Sequence, residues 1–302
     1  MRDVIVIGGG PAGLSAASYA RRAAMDVLVL ERDSFGGGQI VTAHKIDNYL
    51  GLPGIEGYEI IMKFREHASL LEVEFMDGEV AEIIREENGM KLLLKDGQCL
   101  YSKNVIIATG AVHKKLGVLG EDRLTGRGIS YCATCDGAFY RGKKVAVIGG
   151  GEVALSDALF LSGLCSQVYL VHRREGLRAS KALQKKVFER ENIQFLPGYV
   201  VDEILGKNQV EGVCLRKLAN DEKKELSVDG LFVAIGMEPV TGFVPREVEK
   251  ENAGYLITDE SCRTSVKGIF AVGDVRSKKI RQLVTAVADG AICIGAMEED
   301  QT

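Results

Sequence analysis

One pattern occurs twice in the sequence and leaves few folds open to it. A short β-branched run, Val4-Ile5-Val6-Ile7, leads directly into Gly8-Gly9-Gly10-Pro11-Ala12-Gly13. A helical stretch from Leu14 to Ala24 follows, then a second apolar run from Val27 to Leu30, ended by Glu31. This is a β–α–β start with G-x-G-x-x-G in its first turn. Such glycines let the backbone approach a pyrophosphate, and the helix N-terminus offers free N–H groups to the same anion. Gly8, Gly10, Pro11, Ala12 and Gly13 are therefore candidate cofactor contacts. Glu31 lies 18 residues beyond Gly13, where a carboxylate can accept from ribose hydroxyls.

The pattern returns in the middle of the chain. Lys144 to Ile148 is strand-like, Gly149-Gly150-Gly151-Glu152-Val153-Ala154 forms the turn, Leu155 to Ser162 is helical, and Val168 to Val171 is the next strand. That strand ends in His172-Arg173-Arg174, with Arg178 farther on. Leu231 to Gly236 echoes the buried-type strand Asn104 to Gly110, which ends in Ala108-Thr109-Gly110. The two copies differ where they end their second strand. A carboxylate there suits a free ribose 2′-hydroxyl, and arginines suit a 2′-phosphate. The first site reads as one for FAD or NAD, the second as one for NADP. The expected fold class is α/β, with two Rossmann-like dinucleotide-binding domains.

Between and after these copies the signals are more ordinary. Gly36-Gly37-Gly38-Gln39 predicts a flexible loop leading toward Asn48-Tyr49, and His44 and His67 are expected at the surface. Tyr58 to Leu71 has helical spacing, whereas Glu79 to Arg85 and Lys91 to Leu94 read as strands separated by turn residues. Val112 to Gly128 is polar and basic and reads as a linker, as does Gly236-Met237-Glu238-Pro239. Strand-like Gly254 to Ile257 precedes Gly268-Ile269-Phe270-Ala271-Val272-Gly273-Asp274. An Asp at that strand end either accepts from a ribityl hydroxyl of a flavin or simply makes a turn. A small-residue helix from Arg281 to Met297 closes the chain, suited to close packing against a cofactor or against another helix.

Cys132-Ala133-Thr134-Cys135-Asp136-Gly137 carries the chemistry. Two cysteines at this spacing can close a small disulfide ring or hold a reactive thiolate, and Asp136 can move the proton that thiol exchange requires. The competing reading is half of a zinc site, which wants a second Cys or His pair at short spacing. Cys99, Cys165, Cys214, Cys262 and Cys293 are scattered singly, so redox chemistry is favoured and no metal is expected. A net charge of −4 without a basic tract argues against nucleic acid as a partner. No apolar run reaches the roughly 18–20 residues of a membrane span. The strand starting at Asp3 leaves no room for a signal peptide, and scattered cysteines suit a reducing cytoplasm.

Taken in order, these motifs resemble those of the low-molecular-weight, bacterial-type thioredoxin reductases, a group of pyridine nucleotide-disulfide oxidoreductases. The residues that carry the resemblance are Gly8 to Gly13 with Glu31, Gly37-Gly38-Gln39, Ala108-Thr109-Gly110, Cys132 to Gly137, the second glycine turn, His172-Arg173-Arg174 with Arg178-Ala179, Gly273-Asp274 and Arg281-Gln282. The cysteine pair just before the second glycine turn separates this family from larger flavin disulfide reductases. The resemblance implies one FAD, NADPH as hydride donor, thioredoxin or a thioredoxin-like partner, and a homodimer. It implies a nicotinamide domain (residues 113–241) inserted into an FAD domain (1–112 and 242–302) and rotating against it on two linkers. It further implies FAD contacts at Gly38, Gln39, Asn48, Val80, Thr109, Gly110, Gly273, Asp274, Arg281, Gln282 and Leu283. NADPH contacts are implied at Gly149, Gly151, Glu152, Val153, Ala154, His172, Arg173, Arg174 and Arg178. By the same resemblance Cys135 faces the flavin, Cys132 exchanges with the substrate disulfide, and Asp136 is the general acid.

The chain departs from the family's pattern in the second turn. Position 153 usually carries a hydroxyl and here is Val153, and position 177, often aromatic, is Leu177. Glu152 adds a carboxylate near the expected pyrophosphate, or else caps the helix turn. These departures point to weakened nicotinamide affinity, while Arg173, Arg174 and Arg178 keep the expected preference for NADPH. Two other readings follow: a related reductase that uses ferredoxin or another donor or serves a different small redox protein, and a flavin-binding scaffold whose nicotinamide site is inactive.

Overall fold

The computed structural model describes residues 1–32, 36–43 and 46–300. His44 lies outside them; His67 is exposed near the end of a helix. The chain forms two compact units, Met1–Val112 with Glu238–Thr302, and His113–Met237.

In the first unit, β1 (Arg2–Ile7), α1 (Pro11–Arg22) and β2 (Val27–Glu31) are followed by a 3-10 turn, Gly38–Thr42, where the sequence suggests only a flexible loop. Then come α2 (Gly57–Leu70), β3 (Glu74–Asp77), β4 (Val80–Glu86), β5 (Gly89–Leu94), β6 (Cys99–Ile107) and β7 (Ala111–His113). The second unit holds α3 (Glu121–Leu124), β8 (Ile129–Ser130), α4 (Ala133–Asp136), β9 (Lys144–Ile148), α5 (Glu152–Ser162), β10 (Gln167–His172), α6 (Lys181–Phe188) and β11 (Ile193–Pro197). It continues through β12 (Tyr199–Leu205), β13 (Gly212–Lys217), β14 (Lys223–Ser227) and β15 (Gly230–Val233). The chain returns through β16 (Met237–Pro239), then adds β17 (Ile269–Ala271) and α7 (Leu283–Glu299).

The first sheet runs β3-β2-β1-β6-β5-β4, with β17 also on β6. Its β1, β2, β3, β6 and β17 are parallel, whereas β4 and β5 are antiparallel. Period-two alternation sorts the side chains of β1 and β2. Val4, Val6, Val27 and Val29 face the helical layer of α1 and α7, and Ile5, Ile7, Leu28 and Leu30 face a second layer with Leu92, Val244 and Leu256. Both faces are covered, which is why these strands are apolar throughout. The second unit repeats the plan with an all-parallel sheet, β11-β10-β9-β15-β8, and a separate antiparallel sheet, β12-β13-β14.

The internal repeat holds at the level of single bonds. Gly8 N–H donates to Leu30 O (2.8 Å) and Ala108 N–H to Ile7 O (2.9 Å); Gly149 N–H donates to Val171 O (2.9 Å) and Ala234 N–H to Ile148 O (2.8 Å).

Three sequence expectations need correction. Val112 to Gly128 is no open linker. Leu124 is fully buried, and the Glu121 carboxylate is buried while accepting from Leu116 N–H (2.8 Å), Gly117 N–H (2.7 Å) and Tyr131 Oη (2.9 Å). A polar composition hid a segment folded around one carboxylate. Gly236 to Pro239 includes β16, which pairs with β7, so both crossings between the units are strand. Gly254 to Ile257 makes only isolated bridges, Leu256 to Lys250 and to Arg276.

Candidate functional site

In the first unit, Gly8 has φ +107°, and a Cβ there would stand 2.7 Å from Ala108 O; one on Gly13 would stand 1.9 Å from Gly8 O. The turn therefore closes tightly on itself, while Gly10, the N-cap of α1, faces outward with nothing nearer than 3.8 Å to an added Cβ. Among the described residues no side chain caps α1, which leaves its first-turn N–H groups for an anion. Glu31 Oε2 accepts from Gly9 N–H at 2.5 Å, placing the carboxylate beside the turn. Pro11 and Ala12 begin α1, and an added Cβ on Gly273 would meet Ala12 Cβ at 2.8 Å. Residues far apart in sequence thus form one site.

Asp274 fits a hydroxyl-bearing ligand at this place. Among the described residues its buried Oδ1 has no hydrogen-bond partner, and Lys278 Nζ is no closer than 3.7 Å. Burial pushes its carboxyl up, against the opposing pull of Lys278 and Arg281. A buried acceptor without a donor is costly unless a ligand supplies one. Gly38 lies in open space, and Gln39 Nε2 donates to Ala111 O. Thr109 Oγ1 donates to Val240 O (2.7 Å), and Gly110 has φ +65°. Asn48 Nδ2 donates to Gln282 Oε1 (2.8 Å), joining two candidates; Gln282 also caps α7 through a reciprocal box with Thr285. The Arg281 guanidinium lies 3.9 Å from the centre of the Tyr255 ring. Leu283 packs beside Ile46, Ile55 and Ile60. Val80 is buried in the core, so only its backbone is left to touch a ligand.

The second turn is built alike. A Cβ on Gly149 would stand 2.3 Å from Ala234 O, Gly151 faces open space, and Ala154 is buried. Among the described residues no side chain caps α5, so Glu152 does not cap its own helix. Its Oε1 instead accepts from Ser180 N–H (2.6 Å), while Arg178 N–H donates to Gly150 O (2.7 Å). Two bonds therefore tie the basic loop to the glycine turn. Val153 is 64 % exposed beside that turn. The His172 ring lies under Gly150, whose added Cβ would meet it at 2.5 Å, and among the described residues its buried Nε2 has no partner. Burial, then the charges of the exposed Arg178, Arg173 and Arg174, hold the His172 ring below the ordinary imidazole value, which favours its neutral form. That concentration of positive charge fits a phosphate.

Cys132 and Cys135 form a disulfide at the start of α4. Thr134 Oγ1 lies 3.4 Å from Cys132 Sγ, and Cys135 N–H points to the same sulfur (3.3 Å). Both cysteines are partly exposed, whereas Cys165, Cys214, Cys262 and Cys293 are buried. Burial pushes the Cys165 and Cys262 thiols up to about 11, which keeps them protonated and unreactive. Among the described residues, no group of three or more His, Cys, Asp or Glu is arranged to hold a metal ion, and no helix is long and apolar enough to cross a membrane.

Sequence reasoning missed two residues that build these sites. Ser130 Oγ donates to Asp136 Oδ2 (2.6 Å) and accepts from Cys132 N–H (3.0 Å). Asp289, buried in α7, accepts from Gly273 N–H (2.9 Å), Arg276 Nη1 (3.0 Å) and Lys278 Nζ (2.9 Å), and so anchors the Gly273-Asp274 turn. A lone acid in an otherwise small and apolar helix was its signal. The serine gave none.

Residues 2–290 match the pyridine nucleotide-disulphide oxidoreductase family. The chain belongs to that family. It is 41 % identical to a thioredoxin reductase of Treponema pallidum over 97 % of this chain and 95 % of the relative. It is 40 % identical to a thioredoxin reductase of Bacillus subtilis over 98 % of this chain and 93 % of the relative. The crystal structure of thioredoxin reductase from Streptococcus pyogenes superposes with a TM-score of 0.86 at 41 % identity, covering 99 % of this chain and 97 % of that one. The chain is thus an oxidoreductase of flavin and pyridine-nucleotide type, and the resemblance to bacterial-type thioredoxin reductases extends over nearly its whole length.

Proposed function

We propose that this chain is a thioredoxin-disulfide reductase that binds FAD in its first unit, takes electrons from NADPH in its second, and reduces thioredoxin or a thioredoxin-like protein through Cys132 and Cys135. The observation that carries this reading is the placement of the Cys132–Cys135 disulfide with Asp136 in the same unit as the arginine-flanked glycine turn. When bound, a flavin supplies the relay between a two-electron hydride donor and thiolate chemistry. The residues of the chain bind and orient. The Gly8–Gly13 turn and the α1 N-terminus receive a pyrophosphate, Glu31 a ribose, and Asp274 a ribityl hydroxyl. Arg173, Arg174 and Arg178 receive a 2′-phosphate. Cys132 exchanges with the substrate disulfide, Cys135 closes the ring, and Asp136 holds and releases the proton. The names FAD domain and NADPH domain belong to this proposal, as do a homodimer, a cytoplasmic location, and rotation of the units on β7 and β16.

The test is an anaerobic titration of the purified yellow protein with NADPH and with NADH, followed by visible absorption and then by turnover of oxidised thioredoxin. Rapid bleaching by NADPH with turnover is the expected result. A folded preparation that neither holds nor regains FAD refutes the reading. Slow bleaching by both nucleotides with intact dithiol chemistry points to a ferredoxin-type donor instead.

A further inference from the structure

The proton-transfer step just assigned needs a carboxylate held in place, and α4 alone does not hold it. It is a helix of four residues, Ala133–Asp136, half-exposed at its acidic end. Among the described residues, the Asp136 carboxylate has one side-chain partner, Ser130 Oγ at 2.6 Å. Ser130 is 5 % exposed and sits at the end of β8, paired in register with Phe232 of the parallel sheet. Its hydroxyl has a single proton and two acceptors in reach, Asp136 Oδ2 at 2.6 Å and Cys132 O at 3.3 Å. The shorter, charge-assisted bond takes the proton. The lone pairs then accept Cys132 N–H at 3.0 Å. One buried hydroxyl thus joins the carboxylate, the first cysteine and the rigid sheet in a single frame.

We infer that Ser130 is a positioning residue for proton transfer, fixing the Asp136 carboxylate relative to the Cys132–Cys135 pair. This rests on the reading of that pair as the exchanging dithiol. In the exchange, the Cys132 thiol loses its proton to solvent, and the Cys132 thiolate attacks one sulfur of the substrate disulfide. A Cys132–substrate bond forms, the substrate bond breaks, and the leaving thiolate takes a proton from Asp136, which regains one from solvent. The Cys135 thiol then loses its proton to solvent, and its thiolate attacks the Cys132 sulfur. The enzyme disulfide re-forms, and the second substrate thiolate leaves and takes a proton from solvent. Two electrons leave the enzyme dithiol and reduce the substrate disulfide to a dithiol.

A leaving group that is stable as a thiolate at neutral pH needs no such proton, and one that is basic does. The test uses the flavoprotein in its dithiol form, prepared with a phosphine and freed of it, in single-turnover reactions. One substrate is bis(2-hydroxyethyl) disulfide, with a basic leaving thiolate, and the other is dithiobis(nitrobenzoate), with a weakly basic one. Ser130→Ala is expected to slow the first by about tenfold and the second much less. In the Asp136→Asn background, Ser130→Ala is expected to cost nothing further, because the carboxylate it positions is gone. Equal slowing of both substrates, no slowing of either, or the same loss in the Asp136→Asn background overturns the inference. Should Ser130→Ala lose its far-ultraviolet dichroism, Ser130→Gly carries the same comparison. Wild-type protein that fails to reduce thioredoxin refutes the functional proposal, while the small disulfides still decide the role of Ser130.

Discussion

Asp157 offers a direct test of the electrostatics inside the second unit. It lies half-buried on α5, and among the described residues no hydrogen bond or ion pair reaches its carboxylate. Burial alone pushes its carboxyl from the ordinary 3.8 up to about 6. Both states are protonated below 3.8, and there Asp157 adds no pH dependence. Between 3.8 and about 6 the unfolded chain gives up its proton first, so stability falls as pH rises. Above about 6 the native carboxylate is charged and the full penalty is present, about 3 kcal/mol from 1.36 kcal/mol per pKa unit. Asp157→Asn removes the charge at nearly constant shape but leaves a half-buried amide costing about 1 kcal/mol. The expected net gain is about 2 kcal/mol at pH 7.5 and close to zero at pH 4.5, where roughly 2 kcal/mol of the penalty has already gone. Thermal melts of wild type and variant, followed by far-ultraviolet dichroism because the chain has no Trp, measure this. An equal gain at both pH values, or none at pH 7.5, would show that the carboxylate is not the desolvated group described.

Three further perturbations have definite signs. Gly290→Ala places a Cβ 2.5 Å from Ala12 O and 2.6 Å from Ala16 N, where α1 and α7 cross. Overpacking there should cost about 1–3 kcal/mol in melting experiments and hasten flavin loss, since α7 also carries Asp289. Glu121→Ala removes the buried acceptor of the part-buried donors Leu116 N–H, Gly117 N–H and Tyr131 Oη and should cost about 1.5–3 kcal/mol; Tyr131→Phe, which removes one donor and leaves no group stranded, should cost about 1 kcal/mol. Arg173→Ala with Arg174→Ala should raise the KM for NADPH by at least about tenfold at about 1.5–3 kcal/mol per charged hydrogen bond, and leave that for NADH nearly unchanged. Equal effects on the two nucleotides would count against the 2′-phosphate assignment.

The parts of the fold legible in the sequence are those that the backbone itself dictates. Glycine is required where chain segments approach as closely as Gly13 and Gly8 O in the first turn, or Gly149 and Ala234 O in the second, and both copies stood out for that reason. The paired apolar strands, the α2 helix and the Gly273-Asp274 turn followed from periodicity and from strand-end residues. The antiparallel sheet β12-β13-β14 left no such mark, because its strands mix charged with apolar positions and lack a compact turn signature. The segment Leu116 to Leu124 misled for a related reason. Polar composition predicts a linker, yet one buried carboxylate can organise a loop when backbone N–H groups converge on it, and convergence is a three-dimensional property. Glu152 was open between two roles from sequence; it does not cap its helix, because its partner, Ser180 N–H, lies 28 residues away.

The same distinction separates the parts of the candidate site. Its ligand-facing residues sit at strand ends and helix starts, where sequence position alone fixes their direction. The groups that hold those residues in place come from elsewhere in the fold. Asp289 reaches Gly273 from a helix 16 residues on, and Ser130 reaches Asp136 from the end of a strand in the parallel sheet. In both cases a buried side chain on a regular element bonds to a turn that carries the chemistry. A turn by itself samples several conformations, and a catalytic geometry tolerates deviations of only about 0.5 Å. The regular element supplies that fixity, through hydrogen bonds that involve a carboxylate and are therefore stronger than neutral ones. Asp289→Asn tests this at the first site. It weakens the attraction for Arg276 and Lys278 and the bond to Gly273 N–H, and should loosen the turn on which Asp274 sits. The expected readout is faster flavin dissociation with thiol chemistry at Cys132 and Cys135 unaltered. Flavin retention equal to wild type would mean that the Gly273-Asp274 turn is held by its packing on Ala12 and needs no anchor from α7.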